Sequence, residues 1–453
     1  MSDEPGGERR RGRRSALHGT LARHGRLPRS GPWRSILRFV AAGVAVVVVS
    51  AFSIAAIATW DVAHTLEKNT VHLVDAKGNP VTPEVGTIAG AFNVLLVGTD
   101  TRQGQGPGYG GLRESSGSGL NDVTMLLHVS ADHDHATVVS LPRDMFVPIP
   151  SCPRPGGGFY SAMSRQKINT TLRYGGLSCT VLTVQQLTGM TIPYAAEVTF
   201  DGVIAMSDAV GGVTVCTTGT INDPHTGLHL AAGEHTLKGK QALEFLRTRH
   251  GVGDGSDLGR ISNQQVFLSA MLRQMMRAGT LTNLPEVYGL AKAAASNMRL
   301  TDSLNVSTLA SMAMALKGVN LSKVAFIQYP NATLPDGSGV IPLPQAAATL
   351  VTALQQGKSL TITGGTGVAG VGSVAQTPSP SGTGSASGSS LTGSATGSPT
   401  TTSPGSPGTS SSTSAATDGT TGTGSPADEA VALPDTVHGQ TAAEKTCSRA
   451  YDF

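Results

Sequence analysis

From Phe39 to Trp60 the chain carries no charged residue. The whole segment, ILRFVAAGVAVVVVSAFSIAAIATW over residues 36–60, is long enough to cross a bilayer as a helix, for which about 20 apolar residues suffice. It exceeds the roughly 7–15 residues of a cleaved secretory core, so it reads as a retained, single N-terminal transmembrane helix. Residues 1–35 ahead of it are basic, with Arg9, Arg10, Arg11, Arg13 and Arg14 in one cluster. Few cations follow it, and this bias predicts a cytoplasmic N-terminus with the rest of the chain outside. Everything after Trp60 is therefore expected to fold extracytoplasmically, tethered to the cell membrane.

The cysteines agree with that address. Cys152, Cys179, Cys216 and Cys447 are an even set without a CxxC pair, which suits two disulfides and disfavours zinc. Nearness in the chain favours Cys152 with Cys179, leaving Cys216 for Cys447, although sequence does not settle pairing. The net charge of +3 and the 14% charged content argue against a nucleic-acid partner. The arginines beside the span are accounted for by topology and anionic lipid.

Residues 61–91 read as a short stalk. From Phe92 the texture changes. Asn93–Gly98 is an apolar run suited to a strand buried on both faces. Val123–Val129 and Ala136–Leu141 flank the polar turn Asp132-His133-Asp134-His135 and suggest a hairpin. Strands are expected at Tyr194–Phe200, Val213–Cys216 and Val324–Tyr329, and helices at Cys179–Leu187, Val203–Ala209, Lys238–Arg247, Ile261–Met276 and Leu300–Leu316. This alternation predicts an α/β or α+β domain over residues 92–362. Residues 363–426 are almost wholly Gly, Ser, Thr, Pro and Ala, a composition that cannot bury a core and predicts a flexible linker. Residues 427–453 regain apolar character and carry Cys447, so this tail is expected to fold back onto the domain.

GxxxxGK[ST], a strand followed by GxGxxG, and GxSxG after a strand are all absent, which leaves nucleotide-fold and ordinary hydrolase readings unsupported. Charged residues at strand ends are more informative. Asp100 follows the first buried strand and Asp122 begins the next. On neighbouring strands they would share a sheet edge, where two hard oxygen ligands suit Mg²⁺ (or Mn²⁺) completed by substrate phosphate. Arg143 stands at another strand end, and Lys167 and Asn169 lie in a short polar run. Arg247, Arg249 and Arg260 frame the charged, glycine-rich stretch RTRHGVGDGSDLGRISNQQ. Arginine forks onto phosphate oxygens and keeps its charge when partly buried, so together these residues predict a pyrophosphate site. His133 and His135 read as solvated turn residues, and His225, His229 and His235 as loop residues. His250 also reads as a loop residue, with a proton shuttle beside Arg249 as the alternative.

The blocks Asn93–Arg102, Asn121–Val129, Val138–Pro148, Lys167–Gly176, Val198–Cys216 and Gly239–Gln265 resemble, in that order, the successive motifs of the LytR-CpsA-Psr family. The resemblance spans about Phe92–Tyr329, and the tail His438–Cys447 is similar to that of actinobacterial members. It implies a central mixed sheet with helices on both faces and a hydrophobic channel for a lipid. It also implies transfer of a glycopolymer phosphosugar from a polyprenyl-pyrophosphate carrier to peptidoglycan, at the C6 hydroxyl of N-acetylmuramic acid. By motif match Asp100 and Asp122 would hold the metal, and Arg102, Arg143, Arg247, Arg249 and Arg260 would clamp the pyrophosphate. Lys167 and Asn169 would position the head group. Asp257 and Gln264 match further polar positions, with Asp257 orienting the arginines, and Asp100 is a candidate proton acceptor.

Two departures stand out. Leu120 occupies a place where many members carry Arg, with Arg113 in the Gly-rich insertion Gly104–Gly119 just before it. Asn263-Gln264 replaces an Arg-Gln pair. Two other readings use the same residues: a hydrolase in which water replaces the wall acceptor, and a non-catalytic lipid- or wall-binding module.

Overall fold

The computed structural model describes residues 32–81, 88, 90–103, 105, 109, 119–154, 156–277, 284–316, 318–367, 371–373 and 430–451. Most of the basic segment 1–35, the insertion with Arg113, and most of the linker lie outside the described residues. The chain divides into two units, residues 1–58 and 59–453. The first holds most of helix α1 (Pro32–Lys68), which leaves Val46, Val49, Phe52 and Ile54 exposed. It is long and apolar enough to cross a membrane. Its 37 residues span roughly 55 Å at about 1.5 Å per residue, so the helix continues past Trp60.

The second unit starts earlier than the sequence suggested. Val62 and Leu66, one helical turn apart, are buried in its core, and β1 (Thr70–Val71) joins its main sheet. Residues 61–81 are therefore part of the domain rather than a stalk. The main sheet also holds β2 (Phe92–Thr99), β3 (Asn121–Val129), β4 (Ala136–Leu141) and β5 (Tyr194–Val198). A second sheet is built on β6 (Val213–Thr217) and β7 (Gly233–Leu237). Then come β8 (Met298–Thr301) and β9 (Val324–Gln328) in the main sheet, β10 (Val371–Ser373) in the second, β11 (Gly439–Thr441) in the main and β12 (Thr446–Ser448) in the second. The main sheet runs β1-β8-β5-β2-β3-β4-β9-β11. It is mixed: β2 pairs antiparallel with β3 and parallel with β5, and β9 pairs parallel with β4.

Helices cover both faces, and period-two side-chain alternation in β2 explains why. Leu95 and Val97 enter one core, with Leu172, Val181 and Val184 of α2 (Thr171–Thr188) and Leu350 of α8 (Pro344–Gln355). Val94 and Leu96 turn to the other. There they meet α1, Leu268 and Leu272 of α5 (Asp257–Arg277), Ala295 of α6 (Leu284–Asn297) and Met312 of α7 (Val306–Leu316). A third cluster packs β6 and β7 against α5 and against α4 (Gly239–Arg247), through Val215, Leu237, Phe245 and Phe267. The helix expected at Leu300–Leu316 begins instead as strand: Leu300 pairs with Ala196 of β5, because a neighbouring strand offers those residues a ladder. The strand expected to reach Phe200 stops at Val198, where Thr199 caps α3 (Phe200–Ala209) by accepting from Gly202 N–H.

Both disulfides form as nearness in the chain favoured, Cys152–Cys179 and Cys216–Cys447. The tail folds back and supplies edge strands to both sheets, β11 on β9 and β12 between β6 and β10. The span assigned to linker begins with residues tied to this tail: Gly439 N–H donates to Gly365 O, and β10 pairs with β12. His135 is 2% exposed, not solvated, because the hairpin folds it inward after Asp134.

Candidate active site

The neighbouring strands β2 and β3 bring Asp100 and Asp122 to one end of the sheet. Their register shifts there: Gly98 faces Val123 while Thr99 faces Asn121. Asp122 is the extra residue of a bulge, and a bulge re-aims a side chain. Asp100 is fixed by Leu120, whose N–H donates to its Oδ1 at 2.6 Å. The residue before Leu120 must be glycine. Gly119 has φ 70°, and an added Cβ would stand 2.6 Å from both Asp100 Oδ1 and Thr101 N.

Arg143, just past β4, donates from Nη1 to Asp122 Oδ1 at 2.5 Å. Its Nε lies 3.6 Å from Asp257 Oδ1 and 3.6 Å from Asp144 Oδ2. Asp257 opens α5 and also pairs with Arg260 one turn on, while Arg260 Nη2 donates to Asp122 O at 2.8 Å. Asp257 therefore lies between two arginines. Burial acts against the Arg143 cation, but Asp122, Asp257 and Asp144 outweigh it and hold its pKa above the ordinary arginine value.

Arg247 and Arg249 differ. Among the described residues neither forms an ion pair with a carboxylate. Burial, then the charge of Arg102, lowers the pKa of Arg247; burial, then Arg143 and Arg260, lowers that of Arg249. The Arg247 guanidinium lies 4.4 Å from the Phe200 ring centroid, and that of Arg102 5.7 Å from it. Such a cluster of mutually repelling, partly desolvated cations is an anion site in physical terms.

Two cavities meet there. One, of about 140 Å³, is walled by Leu96, Val123, Met125, Val198, Phe200, Val203, Leu243, Leu246 and Leu268. The other, of about 130 Å³, is lined by Asp122, Arg143, Asp223, His225, Thr226, Arg247, Arg249, His250 and Arg260. Asp122, Arg247 and Arg260 line both. The polar pocket holds four arginines against two aspartates, an excess of positive charge.

Of the residues singled out from sequence, Asp122, Arg143, Arg247, Arg249, Asp257 and Arg260 come together. Asp100 and Arg102 stand beside them, and Arg247 feels both charges. Lys167 lines neither cavity. It pairs with Asp144 at 3.1 Å and so reaches the cluster through Arg143. Asn169 is buried, and its N–H donates to Arg143 O at 3.2 Å. Gln264 lines the apolar cavity and donates to Leu246 O at 3.0 Å. Asn263, in the place of an arginine, is fully buried: it donates to Phe245 O at 2.6 Å and accepts from Ser448 of the tail. The pair thus secures the end of α4 that carries Arg247. Arg113 lies outside the described residues.

Phe200, Asp223, Thr226 and His225 also line the site without a motif in the sequence to mark them, and His250, which reads as a loop residue, lines it too. The hairpin Ile221–Asp223 with Leu228–Leu230 brings the 223–226 turn over the pocket, and only the Asp223-Pro224-His225 turn signal hinted at it. Gly251 permits that approach, since a Cβ there would meet Ile221 Cγ2 at 2.9 Å and Asp223 Cβ at 3.2 Å.

An apolar cavity beside an arginine cluster, at strand ends of a mixed α/β sheet, has the chemistry that suits an amphiphilic anion. More narrowly, residues 58–356 match the LytR_cpsA_psr family model, and the chain belongs to that family. It is 31% identical over 272 residues to the cell wall biosynthesis protein LcpA of Corynebacterium glutamicum, covering 55% of this chain and 52% of that protein. It is 30% identical over 200 residues, 44% of this chain and 56% of the other, to the polyisoprenyl-teichoic acid–peptidoglycan teichoic acid transferase TagU of Oceanobacillus iheyensis. The chain thus spans about half the length of these curated relatives. The solved LytR-Csp2A-Psr enzyme from Actinomyces oris superposes with a TM-score of 0.46 and 20% identity, covering 63% of this chain and 94% of that one.

Proposed function

We propose that this chain is a membrane-anchored phosphotransferase of cell-wall assembly. It moves a glycopolymer, as a phosphosugar, from a polyprenyl-pyrophosphate carrier to the C6 hydroxyl of N-acetylmuramic acid in peptidoglycan, forming a phosphodiester. The observation that carries this reading is the junction of the two cavities at Asp122, Arg247 and Arg260. An amphiphile with an apolar chain and a pyrophosphate head matches such a junction. The teichoic acid transfer to peptidoglycan for which the Oceanobacillus relative is named supports the same reading. Helix α1 serves as the anchor, and the arginines ahead of it favour a cytoplasmic N-terminus.

Leu96, Val198, Phe200 and Leu246 would hold the lipid stem, and Arg247, Arg249 and Arg260 would take the phosphate oxygens as charge builds on them. Phosphoryl transfer depends mainly on such positioning and charge stabilisation. Arg143 is held by three carboxylates and lines the polar pocket, so it would meet the head group without reorganising. Asp100 and Asp122, two hard oxygen donors at one sheet end with cations to balance added phosphate, fit a bound Mg²⁺ or Mn²⁺. When bound, that ion would neutralise charge on the pyrophosphate.

The test is reconstitution. The full chain in lipid nanodiscs is given a synthetic polyprenyl-pyrophosphoryl glycan and peptidoglycan oligomers, with Mg²⁺ or with EDTA. The expected product is a linked phosphodiester by mass spectrometry, formed only with the divalent ion and lost in Asp122→Ala. Glycan phosphate released to water in the presence of acceptor would favour a hydrolase, and lipid binding without turnover a binding module.

A further inference from the structure

The proposed transfer needs a group that takes the proton of the attacking hydroxyl, and the polar pocket limits the choice. Among the described residues its lining includes four side chains able to accept one: Asp122, Asp223, His225 and His250. Asp122 is engaged by Arg143. Asp223 accepts from Thr248 Oγ1 at 2.6 Å and Arg249 N–H at 3.2 Å on Oδ2, and from His225 N–H at 3.0 Å on Oδ1. Burial raises its pKa, but those hydrogen bonds and the nearby His250 outweigh it and hold it below the ordinary aspartate value, which makes it a poor base. Asp100, the candidate from sequence, does not line this pocket.

The two imidazoles remain. Their ring centroids lie 4.4 Å apart, one from the 223–226 turn and one from the loop after Arg249. Both residues are exposed, so they form the solvent-side rim of the pocket, and a polymeric acceptor can approach only from the open side. The lipid stem belongs in the apolar cavity, and Asp122, Arg247 and Arg260 separate it from this rim.

We propose that the His225–His250 pair is the general base of the transfer and receives the acceptor hydroxyl. This rests on the phosphotransfer reading above. The hydroxyl oxygen bonds to the sugar-bearing phosphorus. The bond from that phosphorus to the bridging oxygen breaks, and polyprenyl phosphate leaves with the electron pair. The hydroxyl proton passes to an imidazole nitrogen of the pair and from there to solvent. Imidazole is the side chain most often used as a general base. The charged groups facing the pair are Asp122, Arg143, Asp223, Arg247, Arg249 and Arg260 around the pocket. Asp254 shares the His250 loop, and Arg449 and Tyr451 of the tail pair their backbone with it.

His225→Gln, His250→Gln and the double variant, as full chains in nanodiscs, test the assignment. Three quantities are read: transfer rate against pH, KM for the donor, and affinity for geranylgeranyl pyrophosphate. The double variant is expected to lose about 10²–10³-fold in kcat and the acid limb of its pH profile. Its KM and probe affinity stay within about threefold, as befits rim residues that hold no phosphate. Transfer by wild type and double variant alike would overturn the base assignment and leave the phosphotransfer reading intact. A loss confined to donor binding would also overturn it. No transfer by the wild type would sink the reaction and the assignment together.

Discussion

Arg247 separates stability from function. Its guanidinium stacks on Phe200 at 4.4 Å, a contact worth about 0.5–2 kcal/mol. Against that, burial and the charges of Arg102 and Arg260 disfavour its cation, and no described carboxylate pairs with it. Arg247→Met keeps an apolar stem over the ring and removes the repulsion, so the two effects offset and the empty protein should change by less than about 1 kcal/mol. In the complex the same change removes a charge-assisted hydrogen bond to phosphate, worth about 1.5–3 kcal/mol. At about 1.4 kcal/mol per tenfold, affinity should fall about 10- to 150-fold. Thermal unfolding with and without geranylgeranyl pyrophosphate reads both. At a ligand concentration of about 100 Kd, wild type gains about 2.7 kcal/mol. With affinity 100-fold weaker the gain falls to about 0.4 kcal/mol. An empty variant destabilised by more than about 2 kcal/mol that keeps the full ligand shift would make Arg247 a structural residue and take it out of the anion site.

Other outcomes follow from the same geometry. Burial, then the nearby His135, lowers the pKa of His128 from 6.5 to about 4. The unfolded chain therefore binds the extra proton first as pH falls. Stability should be full above about pH 6.5 and drop by about 3 kcal/mol toward pH 4; urea midpoints against pH check this, and His128→Gln should flatten the curve. Gly119→Ala forces a left-handed alanine onto Asp100, costing about 1–2 kcal/mol in backbone strain alone. It should cut transfer at least tenfold while lipid binding, measured by fluorescence titration, stays. Replacing Cys216 and Cys447 by Ser frees a tail whose backbone pairs Tyr451 with Gly251 and Arg449 with Gly253. Stability should fall by about 2–5 kcal/mol, and hydrogen exchange should quicken over residues 249–255.

Much of the site was legible because its residues follow buried strands or open a helix. Asp100 and Arg143 follow apolar runs and Asp122 opens one, and those runs are unmistakable. Arg247 and Arg260 flank one loop, so their nearness needed no knowledge of the fold. The turn at Asp223–Thr226 was not legible, because its approach depends on packing of a small hairpin across Gly251. Residues 61–81 read as a stalk for a related reason: Val62, Leu66 and Leu73 look unremarkable until a core exists to receive them. Helices α6 and α8 went unread because small residues dominate both, AKAAASN and QAAATL, and a stripe of alanines carries little hydrophobic contrast. Asn263 shows the limit of motif matching. It stands where the motif carries an arginine, yet the structure uses the position to join α4, α5 and the tail.

On the proposed function, one molecule occupies both cavities at once. A crystal structure of the domain with a short-chain polyprenyl pyrophosphate tests it most directly. The chain is expected between Leu96, Phe200 and Leu246, and the two phosphates among Arg247, Arg249 and Arg260 beside Asp122. A lipid bound elsewhere, or seated with its phosphates away from these arginines, would contradict it.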